Sequence, residues 1–161
     1  MYAKNIFYSV TGGALILILI YIIYKKVKTN TPILPLEKYN FVQAFHAGHN
    51  GIDLGAVVGQ DVYAPMDGHV SEVAYEGASG NYVKIDGDDG YRTSFSHLSV
   101  QNVTQGQRVN QGDVIGKIGV TGYTEGPHLH FVLSKLSNAN VGIDPVAYFG
   151  DAISTSQRDF V

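Results

Sequence analysis

The pattern of hydrophobic and polar positions after residue 40 is that of short β-strands separated by turns. Runs rich in Val, Ile, Tyr, Phe and Thr recur at residues 69–75, 82–85, 91–95, 114–118 and 130–133. The acidic, glycine-containing run 86–90 joins the second and third of these, which predicts a hairpin. Only residues 145–148 indicate a helical turn. The pattern therefore predicts an all-β, antiparallel fold.

The N-terminal part of the chain follows a different pattern. Residues 6–23 form an almost uninterrupted apolar run, and no charge falls between Lys4 and Lys25. As a helix rising about 1.5 Å per residue, this run would span about 27 Å, close to the roughly 30 Å hydrocarbon core of a bilayer. The run predicts one N-terminal transmembrane helix. A cleaved secretory signal is the alternative, but Lys25, Lys26 and Lys28 follow where a cleavage site would have small residues.

These patterns divide the chain into four predicted segments. They are an anchor with a basic flank at residues 1–28, a linker at 29–39, a globular domain at 40–149 and a flexible tail at 150–161. Pro32 and Pro35 are the reason for predicting a short, stiff linker. A chain of 161 residues has room for a single globular domain of ordinary size.

Charge is distributed unevenly between these segments. Four of the 11 basic residues lie within residues 1–28, whereas all 14 acidic residues follow that segment. From residue 29 onward, seven basic residues therefore face 14 acidic ones. Because such a domain is poorly suited to bind a phosphate backbone, no nucleic-acid partner is expected. The chain has no cysteine, which excludes disulfides and thiolate metal ligands.

Two histidine motifs carry the candidate chemistry. They are His49-Asn50-Gly51-Ile52-Asp53 and Gly126-Pro127-His128-Leu129-His130-Phe131. Together they supply the two imidazoles and one carboxylate of many catalytic zinc sites, with one imidazole left over. His128 and His130 share one face of a strand, since residues two apart project to the same side. Asn50-Gly51 must bend the chain, because His49 and Asp53 would lie about 13 Å apart on an extended strand. The motifs predict a zinc hydrolase.

These motifs resemble those of the lysostaphin/LytM-type zinc metallopeptidases, which cut peptide bonds in peptidoglycan. The resemblance covers about residues 40–149 and includes the stretch Phe95-Ser96-His97-Leu98-Ser99. The other matching segments are Asp61-Val62-Tyr63-Ala64-Pro65-Met66-Asp67-Gly68, Gly80-Asn81-Tyr82-Val83, Val109-Asn110-Gln111-Gly112-Asp113-Val114-Ile115-Gly116 and Asp144-Pro145.

The resemblance implies a two-sheet fold with a groove across one face. It also implies that His49, Asp53 and His130 are the zinc ligands, and that His97 and His128 are the catalytic histidines. One of these two would move the proton between water and leaving amine, and the other would donate to the developing oxyanion. The sequence does not assign which. The implied function is a zinc-dependent endopeptidase of peptidoglycan crosslinks or stem peptides, used in wall remodelling or in phage entry and lysis.

Two other functions compete with this one. Some LytM-like domains are non-enzymatic activators of other wall hydrolases, but such domains typically lack ligands that this chain retains. The chain is alternatively a structural membrane protein of a virion, in contact with virion membrane or capsid proteins. Bound zinc and cleavage of purified peptidoglycan would separate the enzyme from both.

Several other residues are interpreted more plainly. His46 and His69 are not expected to touch the metal, and the acidic run 86–90 is expected to be a turn rather than a calcium loop. Tyr123 is a candidate substrate contact in the loop before the second motif. Glu125 is expected either on the groove rim or on the surface.

The side of the membrane on which the domain lies is ambiguous. Three lysines follow the apolar run, against Lys4 and the α-amino group before it, which weakly places the domain on the cytoplasmic side. Peptidoglycan lies on the other side. We therefore expect a single-pass protein either of the bacterial envelope or, slightly favoured, of the internal membrane of a phage virion.

Overall fold

The structure is a computed structural model that describes residues 13, 15–19, 21 and 31–150. The chain divides into two compact units, Met1–Asn30 and Thr31–Val161. The described residues of the first unit are helical and exposed. Among all described residues, no helix is both long and apolar enough to cross a membrane. Most of the predicted anchor 6–23, and the predicted tail beyond Gly150, lie outside the described residues.

The described part of the second unit, residues 31–150, consists of ten antiparallel strands and one short helix. The strands are β1 (Asn40–Gln43), β2 (Ile52–Gly55), β3 (Asp61–Tyr63), β4 (Gly68–Glu76), β5 (Gly80–Gly87), β6 (Tyr91–Gln101), β7 (Arg108–Val109), β8 (Val114–Ile118), β9 (His128–Lys135) and β10 (Asn138–Ile143). The helix α1 is Pro145–Phe149, capped at its start by Asp144. The predicted all-β, antiparallel fold is confirmed, and residues 86–90 form the turn between β5 and β6.

The strands form one hydrogen-bonded network, whereas the resemblance implied a two-sheet fold. The main path runs β1-β2-β9-β6-β5-β4-β7, while β10 extends β9 and the pair β3–β8 branches from β6. The connection is β6 itself, which pairs with β9 up to Ser96 and with β8 from Leu98 onward. His97 lies between these residues and has a φ of 64°. Among the described residues, it is the only non-glycine residue with a positive φ. The bend at His97 lets one strand serve both parts.

The hydrophobic core lies beneath strands β2, β6 and β9. Phe95 and Phe131 are paired across β6 and β9, are fully buried and have ring centroids 5.4 Å apart. Along β9 the side chains alternate, so that Leu129 and Phe131 enter the core while His128 and His130 are only partly buried. Burial of the apolar face therefore fixes the register that presents both histidines.

Part of the predicted linker packs onto the domain. The Ile33 amide donates to the carbonyl of Pro65, and the Tyr63 amide donates to the carbonyl of Pro35. Leu36 and Tyr39 are buried in the core. Within the described range, residues 31–39 therefore belong to the packed domain, because their apolar side chains find partners there.

Candidate metal centre

The main ligand strands are β2 and β9, which bring two predicted ligands side by side. Asp53 and His130 are direct partners in the antiparallel register, and Ser96 on β6 is paired with His130 from the other side. Gly51 precedes β2 where a β-carbon would lie only 2.5 Å from the carbonyl oxygen of Phe131. The glycine therefore permits the ligand loop to approach β9 closely.

The bend at Asn50-Gly51 brings His49 to the same point. His49 Nε2 lies 3.2 Å from Asp53 Oδ1 and 3.2 Å from His130 Nδ1. His130 Nδ1 lies 2.8 Å from the same Asp53 oxygen. Tetrahedral zinc, with ligands at about 2.0–2.1 Å, separates neighbouring ligand atoms by about 3.3 Å. Small outward shifts of these three atoms would therefore admit the ion.

The hydrogen bond of the outer ring nitrogen of each ligand histidine indicates which nitrogen carries the proton. His49 Nδ1 donates to the carbonyl of Ala44 at 2.9 Å, and His130 Nε2 donates to Asn50 Oδ1 at 3.2 Å. With those nitrogens carrying the protons, His49 Nε2 and His130 Nδ1 present lone pairs. They meet a carboxylate oxygen, which also only accepts. With both imidazoles neutral in these tautomers, three acceptors converge without a donor between them, and either a proton or a metal cation would fit there.

The environment of Asp53 favours its ionised form. Burial raises the pKa of this carboxyl, but the neighbouring imidazoles outweigh that effect when they are protonated, through a hydrogen bond from His130 and through the charges of His130, His49 and His128. The net result is a pKa below the ordinary value of 3.8. Asp53 is therefore a carboxylate at neutral pH, as a metal ligand must be.

The two predicted catalytic histidines stand beside this cluster. Their ring centroids are 4.6 Å apart. His97 Nδ1 donates to the carbonyl of Thr121, and His128 Nδ1 donates to the carbonyl of Gly126, each at 2.9 Å. Both therefore leave Nε2 as the free acceptor. His128 Nε2 lies 3.8 Å from Asp53 Oδ1, beyond hydrogen-bond distance and next to the ligand atoms.

His97 is held by an unusually close-packed set of residues. Its amide donates to the carbonyl of Ser79. A β-carbon on Gly80 would lie 2.3 Å from the backbone of Thr121, and one on Gly122 would lie 2.3 Å from the backbone of Gly80. Burial lowers the pKa of His97, which outweighs the opposing effect of the Thr121 carbonyl. The imidazole is therefore neutral, and able to accept a proton, at neutral pH.

All five predicted site residues line one groove of about 760 Å³. Tyr123 and Glu125 also line this groove, and Tyr123 is 83% exposed. His46 instead interacts with Gln43 and with the carbonyl of Ala47, outside the three-residue ligand group. His69 is exposed on β4. The roles of the five residues as ligands and catalysts stay predictions, although the fold brings them together.

The residues that orient the histidines are not predicted by the sequence patterns. Three of them, Ala44, Thr121 and Gly126, act through main-chain carbonyls, which leave no residue-type signal. Asn50 acts through its side chain and was interpreted only as a turn residue. A polar residue adjacent to a ligand was the available signal.

A donor set of two imidazoles and a carboxylate, flanked by two further imidazoles in an open groove, is the arrangement expected of a metal-dependent hydrolase. The sequence comparison gives the family. Residues 47–145 match peptidase family M23, more than half of the 161-residue chain. The protein belongs to that family.

Individual relatives agree with this assignment. The chain is 43% identical over 83 residues to peptidoglycan DD-endopeptidase ShyC of Vibrio cholerae, covering 52% of this chain and 19% of that protein. It is 38% identical over 108 residues to glycyl-glycine endopeptidase ALE-1 of Staphylococcus capitis, covering 65% of this chain and 30% of the relative. The chain therefore spans less than a third of the length of either protein.

Solved structures show the same fold. The catalytic domain of the antimicrobial peptidase lysostaphin from Staphylococcus simulans has a TM-score of 0.62 and 30% identity, covering 71% of this chain and 92% of that one. A zinc-containing peptidase from Vibrio cholerae has a TM-score of 0.65 and 31% identity, covering 71% of this chain and 39% of that one. The lysostaphin-like fold expected from the motifs is confirmed.

Proposed function

We propose that this protein is a zinc-dependent endopeptidase that hydrolyses peptide bonds in peptidoglycan crosslinks or stem peptides. The observation that carries the proposal is the convergence of three acceptors, His49 Nε2, Asp53 Oδ1 and His130 Nδ1, with no donor between them. The peptidoglycan substrate is supported by family membership and by relatives named as peptidoglycan and glycyl-glycine endopeptidases.

The donor set suits zinc among the metals that proteins commonly bind. Imidazole is a good zinc ligand, a single carboxylate completes many catalytic sites, and hard calcium and magnesium sites would need more oxygens. When bound, zinc would acidify a water molecule and polarise the scissile carbonyl. The remaining chemistry falls to the side chains of the chain.

His97 and His128 would provide that chemistry. Each has its Nδ1 proton engaged by a backbone carbonyl, so each directs Nε2 into the groove. A neutral imidazole there takes the proton of the attacking water and later gives it to the leaving amine. The other imidazole, once protonated at Nε2, would donate to the oxygen that gains negative charge. The 4.6 Å between the rings lets both act on one peptide bond.

The direct test is digestion of purified cell walls by the full-length protein in detergent. Walls crosslinked through glycine bridges and walls crosslinked directly between stem peptides would be compared, and the released peptides sequenced. We expect cleavage of one wall type, loss of cleavage with a chelator and recovery with added zinc. Zinc and wall binding without any new amino termini would instead identify a non-enzymatic activator or a structural virion protein.

We also propose that residues 6–23 tether the domain to a membrane. The support is the uncharged apolar run, which is long enough to cross a bilayer as a helix, and the lysines that flank it. The slight excess of lysines after the run favours the internal membrane of a phage virion over the bacterial envelope. Protease treatment of intact spheroplasts tests the orientation, because digestion of the domain from outside would refute the inward-facing arrangement.

A further inference from the structure

Four imidazoles meet in the groove, and each is oriented through the nitrogen that points away from its centre. His49, His97 and His128 donate that proton to main-chain carbonyls. No substitution removes a main-chain carbonyl. His130 differs, since its Nε2 donates to a side-chain oxygen, Asn50 Oδ1, at 3.2 Å. His128 Nδ1 also lies 3.1 Å from Thr124 Oγ1, but it has the Gly126 carbonyl as well. Of the four, His130 is therefore the one whose outer nitrogen is held by a side chain without a main-chain carbonyl.

The backbone of Asn50 is closely packed, although its side chain is exposed. A β-carbon on Gly142 of β10 would lie 2.2 Å from the carbonyl oxygen of Asn50 and 3.2 Å from its β-carbon. On the other side, a β-carbon on Gly51 would lie 2.5 Å from the carbonyl oxygen of Phe131. The two glycines let β9 and β10 approach the ligand loop closely, which holds the backbone that carries the Asn50 side chain.

The proton on His130 Nε2 decides whether the residue can bind a metal. A neutral imidazole carries one proton, and the nitrogen without it is the only ligand atom. Acceptance by Asn50 Oδ1 keeps the proton on Nε2 and the lone pair on Nδ1, which faces His49 and Asp53. Without that acceptor, the proton also occupies Nδ1, and the ring turns more freely.

We propose that Asn50 is a positioning residue that sets the tautomer and orientation of His130 for zinc. The proposal rests on the metal site of the proposed function, but it concerns a residue that does not itself touch the ion. Loss of a hydrogen-bond partner of this kind typically weakens metal affinity by about 10- to 100-fold. We expect a loss in this range when Asn50 loses its acceptor oxygen.

The test compares two substitutions in the full chain. Asn50→Leu keeps the approximate size and removes the acceptor, whereas Asn50→Asp keeps it. Zinc affinity is measured by competition with a chromophoric chelator. We expect Asn50→Leu to bind zinc about 10- to 100-fold more weakly than the wild type. We expect the zinc affinity of Asn50→Asp to lie within about threefold of the wild type. Asn102→Leu, at an exposed asparagine after β6, is the matched control and should leave affinity unchanged.

A second measurement separates positioning from general damage to the fold. Long-range nitrogen–proton NMR correlations of the zinc-free protein report which nitrogen of His130 carries the proton. Asp53, at 2.8 Å from Nδ1, competes with Asn50 for this proton, so we expect Asn50→Leu to lower the fraction of His130 that carries it on Nε2 relative to the wild type, with unchanged circular dichroism. Equal zinc affinity and an unchanged tautomer in Asn50→Leu would overturn the proposal. Failure of the wild type to bind zinc would refute the metal site, while the tautomer measurement would still decide the role of Asn50.

Discussion

The groove and the charged surface of strands β4 to β6 differ in how their polar groups are paired. On the sheet, Lys84 and Glu72 form an ion pair at 2.8 Å, and Arg92 and Asp86 form one at 2.6 Å. In the groove, contacts of 2.8–3.2 Å join two ring nitrogens and a carboxylate oxygen, which all accept hydrogen bonds when the imidazoles are neutral. The first arrangement is complete within the chain, and the second needs a proton or a metal ion from outside.

This difference separates polar residues that stabilise the fold from those that act. The hydrogen bond from Arg92 outweighs burial and lowers the pKa of Asp86, so folding and ionisation support each other there. The groove gathers acceptors whose mutual repulsion costs stability until an ion binds. Unpaired convergence of ligand atoms, rather than the number of charges, therefore marks the functional region.

The sharpest way to break the comparison is to remove a ligand. Asp53→Ala and His130→Ala should each lose zinc, and activity should fall at least about a thousandfold, because a catalytic metal supplies several kcal/mol of transition-state stabilisation. Zinc content by mass spectrometry and wall digestion measure both effects.

The same variants test the repulsion directly. In a chelator at pH 8, neither should be less stable than the wild type, since each substitution removes one of three converging acceptors. Denaturant unfolding gives the comparison. Full zinc occupancy in both variants would contradict the ligand assignment, and a large loss of zinc-free stability would contradict the contrast between the two regions.

A second prediction divides the groove itself. His97→Ala and His128→Ala should keep zinc and lose activity by about a hundredfold or more, because each imidazole handles a proton or the oxyanion. Zinc content and single-turnover cleavage rates measure the separation. His69→Ala, at an exposed histidine on β4, is the control. Cleavage at the wild-type rate by either groove variant would remove that histidine from the mechanism.

Much of this site was predictable because its residues carry strong local signals. The His-x-x-x-Asp and His-x-His motifs identified four of the five groove residues, the family resemblance added His97, and a run rich in Val and Ile located β8 at Val114–Ile118. Such features depend on residue types at short spacing. They need no knowledge of which strands are neighbours.

The features that were missed depend on tertiary contacts. The carbonyl of Thr121 orients His97 across 24 residues, and any residue type offers that carbonyl. Leu36 and Tyr39 looked like linker because prolines precede them, but they are buried in the core. The helix α1 was expected only as a turn, although Asp144 before Pro145 is a recognisable start signal.

A third prediction concerns the paired region. Asp86→Asn should lower the free energy of unfolding by about 1 kcal/mol at pH 7, since Asp86 forms a two-point, partly buried bond with Arg92. The folded pKa of Asp86 lies below its ordinary value of 3.8, so this stabilisation is present above that value and is lost as pH falls through the folded pKa. Denaturant unfolding at pH 7 and at successively lower pH should show the two proteins converging. A difference that stayed constant down to acid pH would mean that the charge of Asp86 is not its source.

The smallest effect is expected at a more exposed ion pair beside this surface, between β7 and the turn that joins β5 to β6. Arg108 also makes a two-point bond, to Asp88, but their side chains are 44% and 47% exposed. Water and salt screen such a pair, and ordering two mobile side chains offsets most of the attraction. Arg108→Gln should therefore leave the denaturant midpoint unchanged at 0.15 M salt, although its hydrogen bonds resemble those of Arg92. A loss as large as that of Asp86→Asn would show that pairing geometry rather than burial sets stability here, and the contrast between the sheet and the groove would have to be drawn from geometry alone.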